Sequence, residues 1–363
     1  MTSFGAPDFT RRRVLSLPLL LSPIAAQANV VYPRVIAGTK LQFPRDEGAH
    51  PDFRSEWWYV TGWLRDARQR ESGFQVTFFR NRPGVAEASP SRFAAKQLLF
   101  AHAAIADPAR QRLVFDQRAA REGFRLAEAA VGRTDVHIGD WSFAQHDDRY
   151  IANVRAREFT FDLTMQVRQP ILLQGEGGVS RKGPDPADAS YYYSRPHLAV
   201  SGTLALDDRS SDVNGVAWLD HEWSSRYLPR GAVGWDWTGI DFDDGGALMA
   251  FRIRDASSNP LWAAGALRDA HGETRIFSPT DIEFSPLRRW RSPRTGIDYP
   301  IAYRVRATDL VVALEPMFAD QELDARAGVG TIYWEGAVRA SRDGRVVGRG
   351  YLELTGYGEP LRI

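Results

Sequence analysis

From about residue 40 onward, hydrophobic and polar residues alternate in short runs. Phe74-Gln75-Val76-Thr77-Phe78-Phe79, Phe159-Thr160-Phe161-Asp162-Leu163-Thr164-Met165, His197-Leu198-Ala199-Val200-Ser201-Gly202-Thr203-Leu204 and Tyr303-Arg304-Val305-Arg306-Ala307 each repeat with a period of two. Successive side chains of an extended chain point to opposite faces, so this period predicts strands with one buried face. Asp207-Asp208, Asp243-Asp244-Gly245-Gly246 and Asp343-Gly344 punctuate the runs as turns. Helix signatures are scarce. Many short strands joined by such turns predict an all-β chain of sandwich or barrel type.

A weak internal repeat organises these strands. "WYVTGWL" (Trp58 to Leu64) resembles "WDWTGID" (Trp235 to Asp241), and each precedes a run ending Phe-Arg, at Phe79-Arg80 and Phe251-Arg252. Later, "GVAWLD" (Gly215 to Asp220) resembles "GRGYLE" (Gly348 to Glu353). The same elements in the same order predict two similar β domains, residues 40–230 and 231–363; a chain of 363 residues is long enough for both. Lys182 to Asp188, rich in Pro, Gly and Asp, is expected to be a surface loop within the first.

The first 28 residues read as an address. Arg11-Arg12-Arg13 precede an apolar run, Val14 to Ala26, and Ala26-Gln27-Ala28 fits a small-x-small cleavage site. This predicts a signal peptide, with the arginines favouring the twin-arginine route to the periplasm or outside. The apolar run is short for a membrane span, and no later stretch is longer. Residues 1–28 carry three arginines against Asp8, a net +2; the whole chain is +1, so the remainder is +1 − 2 = −1. A near-neutral mature chain gives no electrostatic footprint for nucleic acid. The absence of cysteine excludes disulfides, thiolate metal sites, a cysteine nucleophile and lipoprotein anchoring.

Candidate chemistry lies where carboxylates sit among aromatics. There is no nucleophile elbow, zinc helix, Walker loop or dinucleotide fingerprint, and no histidine pair has ligand spacing, so neither cofactor nor metal is expected. Instead Glu56 adjoins Trp57, Trp58 and Tyr59; Asp220, His221 and Glu222 lie between Trp218 and Trp223; Asp236 lies between Trp235 and Trp237; Glu335 follows Tyr333-Trp334; and Tyr191 to Tyr193 form a triplet. On a strand, Asp220 and Glu222 share one face, with His221 and Trp223 on the other. Two carboxyls in an apolar cavity repel each other and are desolvated, which raises at least one pKa and makes a general acid. If the other face is inward, His221 takes the acid/base role. The sequence leaves the choice of face open.

Together, "FPRDEGAHPDFRSEWWYVTGWL", "GFQVTFFR", "SYYYSRPHLAVSG", "AWLDHEW", "GWDW", "YPIAY", "YWEGAV" and "GYLELTGY" resemble the AttH family of secreted proteins, grouped with the carotenoid 1,2-hydratases (CrtC). The resemblance spans about residues 40–360. It implies two lipocalin-like antiparallel β-barrel domains packed together, with a cavity for an apolar ligand. It also implies hydration or hydrolysis without a cofactor, and ABC-transporter components as partners. By motif, Asp220 and Asp236 match recurring positions of the hydratases. The chain departs from them at His221-Glu222-Trp223, where they carry an asparagine and a glycine-rich segment, so a carotenoid is not the expected substrate.

Three functional readings follow. The first is an exported enzyme that protonates, hydrates or hydrolyses an apolar or amphiphilic small molecule. Asp220 and Asp236 form its acid/base pair, supported by His221 and Glu222. Glu56, Trp57, Trp58, Tyr59, Tyr192, Trp223, Trp235 and Trp237 line its cavity. The second is a periplasmic carrier with the cavity but no chemistry. The third is glycan binding or hydrolysis, suggested by tryptophans beside carboxylates.

Overall fold

The computed structural model describes residues 30–361, apart from positions 208, 327 and 329. The expected signal peptide lies outside the described residues. Among those residues the chain is all-β, with a single 3-10 turn at Arg45–Glu47 as its helical element. Each of the four alternating runs falls within a strand: Glu71–Asn81, Phe159–Gln166, Ala189–Leu206 and Asp298–Ala307.

The strands form two antiparallel sheets, of thirteen and ten strands. The first contains strands from Ser55–Asp66 to Arg209–Arg226, the second strands from Gly234–Phe242 to Arg345–Leu354. Each sheet curls round on itself without a hydrogen-bonded seam between its end strands among the described residues, giving two lipocalin-like barrels that are not fully closed. In the first, Ser55–Asp66 lies between Glu71–Asn81 and Arg209–Arg226. In the second, Gly234–Phe242 lies between Ala247–Arg254 and Arg345–Leu354. The repeated motifs therefore occupy matching strands.

Their faces match only in part. Trp218 and Asp220 of "GVAWLD" face the second barrel, and Tyr351 and Glu353 of "GRGYLE" face the first. In the other pair, Tyr59 faces the neighbouring barrel while Asp236, at the matching motif position, faces its own barrel's interior. A one-residue offset on a strand turns a side chain to the opposite face.

Three cores result. Trp58, Val60, Phe74, Val76, Leu219 and their neighbours fill the first barrel. Ile240, Leu248, Tyr303, Trp334, Leu352 and others fill the second. Between the barrels, Tyr59, Trp63 and Trp218 pack on Trp237, Met249, Phe251 and Tyr351. The barrels meet closely there: a Cβ added at Gly239 would lie 2.6 Å from Trp237 and 3.0 Å from Trp218. The Trp63 indole donates to the Gly350 carbonyl (3.0 Å), and Trp237 Nε1 donates to the Tyr192 hydroxyl (3.0 Å).

Candidate active site between the two barrels

A cavity of about 270 Å³ opens between the barrels and is lined by both sheets. The resemblance led to the expectation of a ligand space enclosed by a barrel; this one lies between two barrels. Each barrel interior is packed with large side chains, and bulky residues on the facing outer walls hold the sheets apart. Trp57 stacks on Tyr227 (4.5 Å between centroids) and on Trp235 (6.3 Å); Trp237 meets Tyr59 edge-on at 5.2 Å. These rings form one aromatic wall.

Four carboxyl groups face this space: Asp220, Glu222, Glu335 and Glu353. Asp220 and Glu222 share it because they are two residues apart on Arg209–Arg226. Asp220 Oδ1 accepts from Trp218 Nε1 (2.7 Å) and from the Ser194 hydroxyl. Its Oδ2 accepts from the Tyr192 hydroxyl alone, so Oδ2 has room for a proton. Burial raises the Asp220 pKa to about 7 against the three donors, which pull it down. Glu353 is pushed up to about 8 by burial. Glu335 rises well above the carboxylate range by burial and by repulsion from Glu353; the Tyr59 hydroxyl donates to it.

Glu222 has a different environment. Lys182 Nζ lies 2.8 Å from Glu222 Oε1, and the Ser190 hydroxyl donates to the same oxygen. Lys182 was expected in a surface loop, but it is 6% exposed. Its ammonium sits over the rings of Phe251 (4.2 Å) and Tyr192 (4.9 Å), where ring quadrupoles attract a desolvated cation. The cavity thus combines protonated carboxyls with one ion-paired carboxylate.

The expected Asp220–Asp236 pair is not formed. Asp236 faces the interior of the second barrel, bound by Arg252 Nε (2.7 Å), Arg254 Nε (3.3 Å), Tyr303 Oη (3.0 Å) and Tyr357 Oη (2.9 Å). The strand alternation that brings Trp235 and Trp237 to the cavity turns Asp236 away. His221, Trp58 and Trp223 likewise point into the first barrel, opposite Asp220.

Glu56 borders the cavity, but its carboxyl is held within the first barrel. Arg80 Nε donates to Oε2 (2.8 Å), while His50 Nδ1 (2.7 Å) and His221 Nε2 (2.9 Å) meet Oε1. Burial alone would raise its pKa; His50, Arg80 and the His221 bond overcome this and hold it well below the usual range. His221 Nδ1 takes the Tyr193 hydroxyl at 3.1 Å, and burial lowers the ring's pKa, leaving a neutral imidazole. No metal was expected, yet folding brings the ligand atoms of His50, Glu56 and His221 within 4.8 Å of one another. The guanidinium and hydroxyl already present satisfy this cluster by hydrogen bonding.

Of the residues named from sequence, Asp220, Glu222, Glu56, Trp57, Tyr59, Tyr192, Trp235 and Trp237 border the cavity. Sequence reasoning missed Lys182 and Glu353 and noted Glu335 without assigning it a role. Glu353 had a signal: it matches Asp220 in the "GVAWLD"/"GRGYLE" repeat. Lys182 had none, because its partner is 40 residues away.

The AttH-like family model matches residues 34–357. An AttH candidate of Nitrosomonas europaea, known from its crystal structure, is 49% identical over 90% of this chain and 99% of that one, with a TM-score of 0.85. Kievitone hydratase of Nectria haematococca shares the fold, with a TM-score of 0.69 over 91% of this chain and 97% of that one at 14% identity. No curated protein matches the chain. A match across nearly all of the described residues, with close to half identity to a solved relative, makes this chain a member of the AttH-like family.

Proposed function

We propose that this protein is an exported hydratase or hydrolase that acts on an apolar or amphiphilic small molecule between its barrels. One observation carries the reading: Asp220, protonated up to a pH of about 7, faces an aromatic-walled cavity two residues from the Lys182–Glu222 ion pair. A carboxylic acid with a pKa near working pH is an efficient proton donor.

For an alkene, Asp220 Oδ2–H gives its proton to one carbon and leaves a carbocation on the other. Trp57, Trp235 and Trp237 stabilise that charge through their ring faces, each by about 0.5–2 kcal/mol. Water then forms the C–O bond, and its surplus proton passes to Glu222 or returns to Asp220. For a hydrolysable ether or ester, the same acid protonates the leaving oxygen and water completes the cleavage. The shared fold with a hydratase is consistent with either course but supplies no residue roles.

The test starts with compounds that co-purify with the exported protein. These are incubated with it in ¹⁸O-water and followed by mass spectrometry. Incorporation of one labelled oxygen by wild type, and none by Asp220→Asn that still binds the compound, supports the reading. Binding without any label incorporation supports a carrier. Export is tested separately: the periplasmic protein should begin just after Ala28.

A further inference from the structure

Among the residues that line the cavity, three buried side-chain atoms lack partners within the protein: Ser55 Oγ, Gln75 Oε1 and Glu335 Oε2. Gln75, on Glu71–Asn81 of the first barrel, donates its Nε2 to Thr77 Oγ1 (3.2 Å), while its Oε1 accepts nothing. Glu335, on Thr331–Arg342 of the second barrel, accepts the Tyr59 hydroxyl at Oε1, while Oε2 is unpartnered. Close by, the Tyr351 hydroxyl is also unpartnered. Gln75 and Glu335 both line the cavity and are almost wholly buried. Tyr333, two residues before Glu335 on the same face, lines it as well, and its hydroxyl is fixed by His102 Nδ1 at 2.6 Å. An unsatisfied buried polar atom costs about 1–3 kcal/mol, so such a group at a cavity wall points to a ligand or solvent partner.

The chemistry of these atoms is specific. Burial keeps Glu335 protonated. With Oε1 taken by Tyr59, its proton is on Oε2, which is therefore a free donor. Gln75 Oε1 is a free acceptor. A ligand hydroxyl both donates and accepts; an ether or ketone only accepts, and a carboxylate brings a charge. The basic residues on the wall, Lys182 and Arg80, are already held by Glu222 and Glu56, so an anion finds no available cation there.

From Gln75 Oε1 and Glu335 Oε2, unpartnered on the two walls of one cavity, we infer that it recognises an uncharged, mainly apolar ligand through a hydroxyl group distinct from the atoms that meet Asp220. This rests on the inter-barrel cavity being the ligand site, and it adds that the substrate is an alcohol or phenol.

The test is calorimetric and needs no turnover. 4-Hydroxybiphenyl and 4-methylbiphenyl have nearly the same shape, and the methyl compound is the more hydrophobic. Wild type should bind the hydroxyl probe more tightly by on the order of 10-fold. Gln75→Leu and Glu335→Met should each remove that preference while leaving methyl-probe affinity within about 2-fold. Asp220→Asn should keep it. Equal or better binding of the methyl probe by wild type, which needs no variant to fold, overturns this inference alone and assigns the unpartnered atoms to solvent. A preference that survives both variants overturns the assignment to Gln75 and Glu335. Failure of wild type to bind either probe overturns the cavity reading as well.

Discussion

Neighbouring strands of this protein carry buried carboxyls in opposite states. Inside the barrels, Glu56 faces Arg80 and Asp236 faces Arg252, each as a directly opposed cross-strand pair. Between the barrels, Asp220 and Glu335 are buried nearly as deeply and Glu353 is half-buried, with no cation against any of them, and their pKa values rise. The difference is one of partners rather than depth. Glu56, with a guanidinium across the strand and histidines beside it, is held well below the usual carboxylate range and remains an anion. A carboxyl buried without such a partner keeps its proton and can give it to a ligand. Burial of a carboxyl among aromatics therefore says little about catalysis until its counter-ion is known.

The comparison is tested most strongly by Asp220→Asn. This change removes the acidic proton but leaves Trp218 and Ser194 an acceptor, so turnover should fall by about 10²–10⁴-fold with the fold intact, as read by kinetics and circular dichroism. Next, Arg80→Met should cost about 3–5 kcal/mol in denaturant melts by stranding Glu56 without its guanidinium. Glu353→Gln, by contrast, should be neutral or stabilising at pH 8, because it removes a carboxyl that the cavity already disfavours as an anion.

The pH dependence should separate the two sets. Asp220 and Glu353 keep their protons to about 7 and about 8 when folded, whereas unfolded carboxyls lose theirs near pH 4. The folded state thus binds more protons in that window, and these groups make stability fall as pH rises from about 4 to about 8. Asp220→Asn combined with Glu353→Gln should flatten that slope. Glu56 has the opposite sign: its depressed pKa contributes stability above pH 4 that is lost as pH falls through the folded value. In kinetics, kcat/KM should decline above about pH 7 as Asp220 ionises. The smallest effect is expected for Trp235→Phe. Phe keeps the ring face but weakens its attraction for a cation, lowering kcat about 2- to 10-fold with little change in melting temperature.

Much of the fold was legible in the sequence because period-two patterning follows from backbone geometry. The runs around Phe74, Phe159, Leu198 and Val305 are strands for that reason. The "AWLDHEW" segment lies in the last strand of the first sheet, and the matched motifs lie in matching strands. The site was only partly legible. Alternation put Asp220 with Glu222 and apart from His221, which the structure shows. It could not tell that the Asp220 face meets a second barrel, or that Asp236 meets Arg252 and Arg254. Those partners come from other strands, and a one-residue offset decides which face a side chain takes.

By itself, then, the sequence determined the all-β character, the doubled organisation, the family and the grouping of Asp220 with Glu222, since each depends on local geometry or on a string of residues. The tertiary structure alone decided where the cavity lies, which carboxyls meet a cation, and that Lys182, Glu335 and Glu353 join Asp220. Charge state depends on what lies within a few ångströms in space, and in a two-barrel protein those neighbours can be more than a hundred residues away along the chain, as Tyr59 and Glu335 are.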